Sequence, residues 1–367
     1  MLKPSSGNCN MRCRYCFYCD EMEKREQSVY GYMSEETLRN VIRKTMLQTE
    51  RQISYAYQGG EPTLRGLDFF RKAVAYQKQY NFHHIQVTNA LQTNGYGLNE
   101  EWCRFLKENN FLVGVSVDGT RALHDQYRRT AGSGRDTYET VEKNIALLDR
   151  YGVDYNILTV VTEDTARHAK EIYEAYRRKG WKFQQYIECL DPLGEDFGRT
   201  PYSLRPETYS VFLTELFDLW YADFLKGKQP YIRRFENYAA ILAGYPPEAC
   251  EQRGTCGIQL VVEADGSAYP CDFYMLDEYC LGNFNTDRVP QMDRRREETG
   301  FIERSRKLSR KCRVCPYYEV CRGGCQRSRE YLPEEDAYIS HFCKSYQYFF
   351  SRCLDRLKIA ASTVHPV

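Results

Sequence analysis

Cys9-Asn10-Met11-Arg12-Cys13-Arg14-Tyr15-Cys16 sets three thiols at a C-x3-C-x2-C spacing within one short stretch. Three thiolates this close in sequence can hold three irons of a cubane cluster and leave the fourth iron open to an exogenous ligand. A structural zinc site wants four protein ligands, and catalytic three-ligand zinc sites usually include His or a carboxylate. The spacing therefore favours an iron-sulfur cluster with one open position.

A second group lies towards the C-terminus: Cys256-x9-Gly266-x4-Cys271, then Cys312-x2-Cys315-x5-Cys321-x3-Cys325, then Cys343. With Cys250 these make eight, enough to ligate two further clusters in full. The C-x2-C element would also serve a pair of zinc ribbons, and a thiolate-only site does not separate the metals by sequence. Cys19, Cys103, Cys189, Cys280 and Cys353 are left, each expected to pack as a small apolar side chain, with Cys19 close to the first loop.

The chain has 16 cysteines in 367 residues. In a secreted protein that number would mean a disulfide framework, but Met1-Leu2-Lys3-Pro4-Ser5-Ser6-Gly7 lacks the apolar core of a signal peptide. No stretch is long and apolar enough to span a bilayer. The expectation is a cytoplasmic chain whose reduced thiols bind metal. Hydrophobic residues at 42% and charged residues at 28% exclude a mostly disordered protein and allow one large or two modest domains. Lys+Arg total 51 against Asp+Glu 50, so no global field steers the chain to nucleic acid or acidic membranes. The basic run Arg304 to Arg313 reads as a solvated helix face.

The elements that must position these residues alternate. Strand candidates are Ile53-Gln58, His84-Thr93, Phe111-Val117, Asp154-Thr162 and Phe183-Leu190, interleaved with helical stretches at 34–49, 67–80, 99–109, 136–151 and 164–179. Ser34 and Asn99 are the predicted N-caps, and Gly152 and Gly180 the C-terminal stops. This is the pattern of an α/β fold with a parallel sheet. Helices follow at 205–227 and 231–243. Beyond Tyr245-Pro246-Pro247 the chain turns cysteine-rich, with strands at Gln259-Glu263 and Ser267-Pro270 around Ala264-Asp265-Gly266, and a closing helix near 338–358. The predicted boundary falls in 228–250, separating 1–227 from 228–367.

The N-terminal spacing, with Tyr15 just before the third cysteine, resembles that of the radical S-adenosylmethionine (SAM) enzymes. Gln58-Gly59-Gly60-Glu61-Pro62 resembles the motif by which that family binds the methionine amino group, and glycine there lets backbone approach a ligand. Ser116, Arg128 and Leu190 resemble the family's contacts to ribose, to the methionine carboxylate and to adenine. The C-terminal spacing resembles the SPASM domain, a carrier of two auxiliary [4Fe-4S] clusters. That resemblance implies that Cys250, Cys256, Cys271 and Cys325 hold one cluster and Cys312, Cys315, Cys321 and Cys343 the other. The implied fold is α/β: a partial (βα)6 radical SAM barrel, then a SPASM domain.

Within that group the chain is most similar to the anaerobic sulfatase-maturating enzymes. The likeness runs through Tyr15-Cys16-Phe17-Tyr18, Leu91-Gln92-Thr93-Asn94-Gly95, Thr165-Ala166-Arg167-His168, Cys189-Leu190-Asp191-Pro192-Leu193 and Tyr269-Pro270-Cys271-Asp272-Phe273-Tyr274. The resemblance implies oxidation of a Cys or Ser in a sulfatase to Cα-formylglycine. A 5′-deoxyadenosyl radical would take hydrogen from Cβ, Asp272 would act as general base, and the remaining electron would leave through the auxiliary clusters. Tyr18, Gln58 and Gln92 match positions that line the family's peptide site. The implied cofactors are SAM and three [4Fe-4S] clusters. The implied partners are an unfolded sulfatase carrying Cys/Ser-x-Pro-x-Arg and a flavodoxin or ferredoxin donor, with the chain itself a monomer. Alternatives are another radical SAM/SPASM peptide modifier, such as a thioether-forming one, and a zinc-binding scaffold. His124 and His168 are expected to make structural hydrogen bonds. Only eight residues precede Cys9, so the first barrel strand is expected to be nearly missing, and upstream residues would be expected to add stability.

Overall fold

Residues 1–364 are described by a computed structural model, in which the chain forms two compact units that interleave along the sequence. The first unit comprises Met1–Val117, His124–Asn156 and Ile258–Gly300; the second comprises Asp118–Leu123, Ile157–Gly257 and Phe301 onwards.

In the first unit β1 (Gln52–Tyr57), β2 (Gln86–Thr93) and β3 (Phe111–Ser116) are parallel, in register from Gln52↔Gln86 and from Asn89↔Phe111. Strand alternation sends Tyr55, Tyr57, Val113 and Val115 inward, where Tyr57 meets Phe70 at 5.1 Å between ring centroids and Phe70 meets Trp102 at 5.1 Å. The helix Glu35–Met46 buries Leu38, Val41 and Ile42 on one face, and Ser34 caps it by accepting the Thr37 N–H at 3.0 Å. Asn99 caps Glu100–Glu108 in the same way, at 3.0 Å from the Trp102 nitrogen. Gly152 adopts the left-handed conformation after Tyr138–Tyr151.

What stands for the first strand is one residue. Leu2 makes parallel bridges to Tyr57 of β1 and to Val262. Val262 belongs to a small antiparallel sheet of β7 (Val261–Val262), β8 (Ser267–Tyr269) and β9 (Gly282–Asn283), and β8 runs directly into Cys271-Asp272. Its turn passes through Gly266 at φ 96°, where a Cβ would meet Asn283 Oδ1 at 2.8 Å.

The second unit carries most of β4 (Tyr155–Val161), with β5 (Phe183–Glu188) and β6 (Tyr231–Ile232), again parallel, from Ile157↔Gln184 and Phe183↔Tyr231. The helix Pro206–Phe224 opens on a proline, whose missing N–H costs nothing at that position, and packs against Cys343–Ala361. Phe217, Trp220, Phe235 and Phe349 fill the interior between helices, each worth roughly 1.5–3 kcal/mol on burial. No helix among the described residues is long and apolar enough to cross a membrane.

Three expectations change. The helix predicted at 164–179 is broken at Arg167-His168 into Glu163–Ala166 and Ala169–Lys179. The closing helix starts at Cys343, because residues from 338 belong to a hairpin of β10 (Arg329–Leu332) and β11 (Ala337–Ser340) turned at Pro333-Glu334-Glu335-Asp336. The basic run is not one helix face: Phe301–Arg306 and Arg310–Arg313 are separated where Leu308 is buried and bridges Tyr338.

Candidate functional site

The loop Cys9–Cys16 gathers hydrogen-bond donors around its thiols. Cys9 Sγ accepts from the Met11 N–H at 3.4 Å and from Asn94 Nδ2 at 3.7 Å, and Cys13 Sγ lies 3.8 Å from an Arg128 guanidinium nitrogen. Arg128, itself buried, stands 5.5 Å from the Tyr15 ring centroid, and Tyr15 packs on Tyr127. Burial, with Glu61 next, pushes the Cys9 thiol up to about 12, while a hydrogen bond with Cys19 is the largest cause that brings Cys16 down to about 6. Donors aimed at sulfur suit thiolate ligands and tune a cluster's potential. Asn94 of Leu91-Gln92-Thr93-Asn94-Gly95 is a residue of this site that sequence reasoning misses; its one signal is its place directly after a strand.

Glu61 fastens this loop to the strand ends. Its buried carboxylate accepts from Thr63 N–H at 3.1 Å, Thr63 Oγ1 at 2.7 Å, Thr93 Oγ1 at 2.8 Å and Asn94 N–H at 2.8 Å. Burial raises its pKa, and these four donors oppose the rise. Gly60 donates to the Ser6 carbonyl at 2.7 Å, and a Cβ there would fall 2.2 Å from the Asn8 carbonyl oxygen. The close approach that glycine permits at Gly60 is thus to the backbone leading into Cys9.

Gln92 and Ser116, at the ends of adjacent strands, bond to each other, Nε2 to Oγ, at 3.1 Å. Gln92 lies across Gly114, its register partner, where a Cβ would meet Gln92 Oε1 at 2.1 Å. Gln58 is half-buried after β1, its N–H held by the Leu2 carbonyl at 3.0 Å. Leu190 is half-buried after β5, in the second unit.

A buried charged group surrounds the residue after Cys271. Asp272 is 7% exposed and forms an ion pair with Lys3, which is 0% exposed. The Lys3 ammonium also stands 4.6 Å from the Tyr18 ring centroid, with Arg25 at 5.3 Å from the same ring. Tyr18 donates its hydroxyl to Glu263, which also accepts from Arg25 at 2.9 Å. Lys3 was not anticipated. It reaches Asp272 because Leu2 bridges β1 and β7, a long-range pairing with no local signature.

In the second unit Cys312, Cys315, Cys321 and Cys343 line one cavity, together with Tyr346 and Phe350. Burial pushes Cys312 up to about 11 and Cys321 up to about 12. Tyr346 donates at 2.6 Å to Glu188, which also takes Tyr209 at 2.7 Å and Arg234 at 2.7 Å. Cys325 is held near Cys250 and Cys256, and burial first, then those two thiols, raises it to about 12. Cys271, their implied companion, belongs to the first unit. Cys103, Cys189 and Cys353 are buried as expected, whereas Cys19 and Cys280 are only half-buried. His124 bonds Thr137 Oγ1 at 3.1 Å and His168 the Asp164 carbonyl at 2.8 Å.

Among the described residues no three His, Cys, Asp or Glu side chains converge for a single metal ion. Tetrahedral zinc would need sulfurs about 3.8 Å apart. Thiols spread around a cavity, and donors aimed at the N-terminal sulfurs, fit cubane clusters.

Residues 4–176 match the radical SAM superfamily model, and residues 254–316 match SPASM, an iron-sulfur cluster-binding domain. The chain is 41% identical over 364 residues to a cysteine-type anaerobic sulfatase-maturating enzyme of Clostridium novyi, covering 99% of this chain and 97% of that relative. It is 30% identical to a serine-type anaerobic sulfatase-maturating enzyme of Bacteroides thetaiotaomicron, covering 95% and 88%. It is also similar to a solved structure of native anSMEcpe with bound AdoMet and the Kp18Cys peptide, with a TM-score of 0.92 at 41% identity over 99% and 98% of the two chains.

Proposed function

The chain belongs to the anaerobic sulfatase-maturating enzymes, radical SAM proteins with a SPASM domain, and on that premise we propose that it oxidises a cysteine of a sulfatase to Cα-formylglycine. The cysteine preference rests on identity, 41% to a cysteine-type relative against 30% to a serine-type one. SAM bound to a reduced [4Fe-4S] cluster supplies the oxidising radical that removes hydrogen from the substrate Cβ.

In this reading Cys9, Cys13 and Cys16 hold three irons, and the hydrogen bonds from Met11, Asn94 and Arg128 support their thiolate form. Tyr15, Gly60, Ser116, Arg128 and Leu190 contact the SAM molecule. Gln58 and Gln92 hold the extended peptide, and Tyr18, whose hydroxyl is committed to Glu263, walls the site with its ring. Asp272 takes the proton from the substrate thiol. Lys3 orients that carboxylate, a role that favours proton acceptance by geometry. Residues 1–227 form the catalytic core and 228–367 the auxiliary-cluster domain, a division supported by the separate matches at 4–176 and 254–316. A flavodoxin or ferredoxin exchanges electrons with the enzyme, which acts as a cytoplasmic monomer.

The observation that carries this reading is Asp272, next to a cysteine of the cluster-binding motif and fixed by a buried ammonium. The test is anaerobic incubation with SAM, a reductant and Cys-x-Pro-x-Arg or Ser-x-Pro-x-Arg peptides, read by mass spectrometry. Formylglycine from the Cys peptide, and at least tenfold less from the Ser peptide, is expected. Asp272→Asn should still cleave SAM while losing about 10²–10⁴ of product formation; wild-type yield from that variant would remove the base assignment.

A further inference from the structure

Six of the ten residues from Arg304 to Arg313 are basic and none is acidic, in a chain whose formal net charge is only +1. This run leads into the four-cysteine cavity. Lys311 and Arg313 flank Cys312, Lys311 itself lines the cavity, and exposed Lys344 follows Cys343. Arg306 and Lys307 are paired, with Glu303 at 3.2 Å and Asp336 at 2.7 Å. Arg310, Lys311 and Arg313 are exposed and form no salt bridge among the described residues; Glu335 accepts the Arg310 backbone N–H at 2.7 Å, and that bond first, with the Arg310 and Lys311 charges after it, lowers its pKa.

Between the ligand positions Cys312 and Cys315 stands Val314, which at 84% is more exposed than any other large hydrophobic side chain among the described residues. An exposed apolar tip adjoining three exposed cations that form no salt bridge is the composition of a protein contact rather than of a merely solvated helix. Both features sit on the loop that carries two thiols of the cavity.

We propose that Arg310, Lys311, Arg313 and Val314 form the docking surface for a one-electron carrier protein with an acidic face. The inference rests on the reading that Cys312, Cys315, Cys321 and Cys343 hold an auxiliary cluster. In the contact one electron passes from the reduced carrier, which is oxidised, to the cluster, which is reduced, and no bond is made or broken. Cations around a redox centre steer an acidic partner to it and raise the encounter rate, and contacts of this kind are small and short-lived. A transient partner must leave after one electron, which suits exposed charges better than a large apolar interface.

The experiment uses the anaerobically purified holoenzyme and two fluorescently labelled probes, an acidic flavodoxin and an acidic ferredoxin. At least one should bind with a dissociation constant that rises steeply with ionic strength. The double variant Arg310→Glu/Arg313→Glu should weaken that binding at least tenfold at low salt and flatten its salt dependence. Val314→Asp should weaken it at every salt concentration. Both variants should retain wild-type iron and sulfide and wild-type peptide oxidation driven by dithionite, which needs no docking. Failure of both carriers to bind, or unchanged affinity and salt slope in the double variant, would overturn the proposal. So would binding of a DNA duplex more tightly than either carrier. The underlying cluster reading fails separately, if Cys315→Ala leaves iron and sulfide unchanged.

Discussion

The loop Cys9–Cys16 and the cavity of Cys312, Cys315, Cys321 and Cys343 both gather thiols, and they do it in opposite ways. The first draws three thiols from eight residues and surrounds them with polar donors, Asn94 from the end of β2 and Arg128 from just after the helix Arg121–Tyr127. The second draws four thiols from 32 residues and walls them with Tyr346, Phe350 and Tyr317. In the first, Cys9 is pushed up to about 12 but Cys16 is brought down to about 6, whereas the second holds Cys312 up to about 11 and Cys321 up to about 12 and raises Cys343 as well. In the proposed reading, three ligands with polar neighbours would leave an iron open for chemistry, and four ligands in an aromatic wall would close the cluster and leave it only electrons to exchange.

The sharpest way to break this contrast is to remove one thiol from each side. Cys13→Ala should lower iron from about twelve to about eight per chain and reduce SAM cleavage to the uncatalysed background. Cys321→Ala should lose the same iron yet keep SAM cleavage while losing formylglycine. Equal loss of cleavage in both would mean that the two sites do not divide the work.

A second test sets a buried ion pair against an exposed one. Lys3→Met removes the partner of the buried Asp272 carboxyl, which should cost about 3–5 kcal/mol in denaturant unfolding, with Lys3→Arg recovering much of it. Lys307→Met, which removes an exposed pair with Asp336 beside the second site, should leave the melting temperature unchanged. A stable Lys3→Met protein would show that Asp272 finds its charge balance elsewhere.

The thiol shifts give a third. Iron must displace a proton from every protonated thiol, so a thiol raised above 9 takes up iron more readily as pH rises, and one lowered to about 6 is already ionised at pH 7; the N-terminal loop has one of each, Cys9 at about 12 and Cys16 at about 6, whereas Cys312 and Cys321 are both raised. Between pH 7 and 9, reconstitution of the four-cysteine site should therefore steepen with pH more than that of the N-terminal loop. Iron uptake in variants lacking the other sites measures it, and equal slopes would contradict the contrast.

The smallest effect is expected at Gly114→Ala. The new Cβ would displace Gln92, the far end of a flexible side chain, so folding should be little changed. Turnover of the peptide should fall several-fold through a raised KM, with SAM cleavage in the absence of peptide unaffected.

Much of the framework was legible because its signals are local. Strand alternation placed β1 to β5 within two or three residues, and Ser34, Asn99, Gly152 and Gly180 ended helices where capping chemistry requires. The hairpin at 329–340 was missed because its strands are four residues each and run close to a helix pattern. The break in the basic run was missed because Leu308 is buried by Tyr338, thirty residues on.

Sequence by itself determined the donor chemistry: which thiols could hold clusters, that the N-terminal set lacks a fourth, and that a carboxylate follows Cys271. These depend on residue type and short spacing. Only the tertiary structure decided that Lys3 neutralises Asp272 from 269 residues away, that the Tyr18 hydroxyl is spent on Glu263, and that Asn94 and Arg128 face the first thiols. A buried charge must be paired, and no local pattern names the partner: the pairing is set by which strands meet, here through the bridges that Leu2 makes to Tyr57 and Val262.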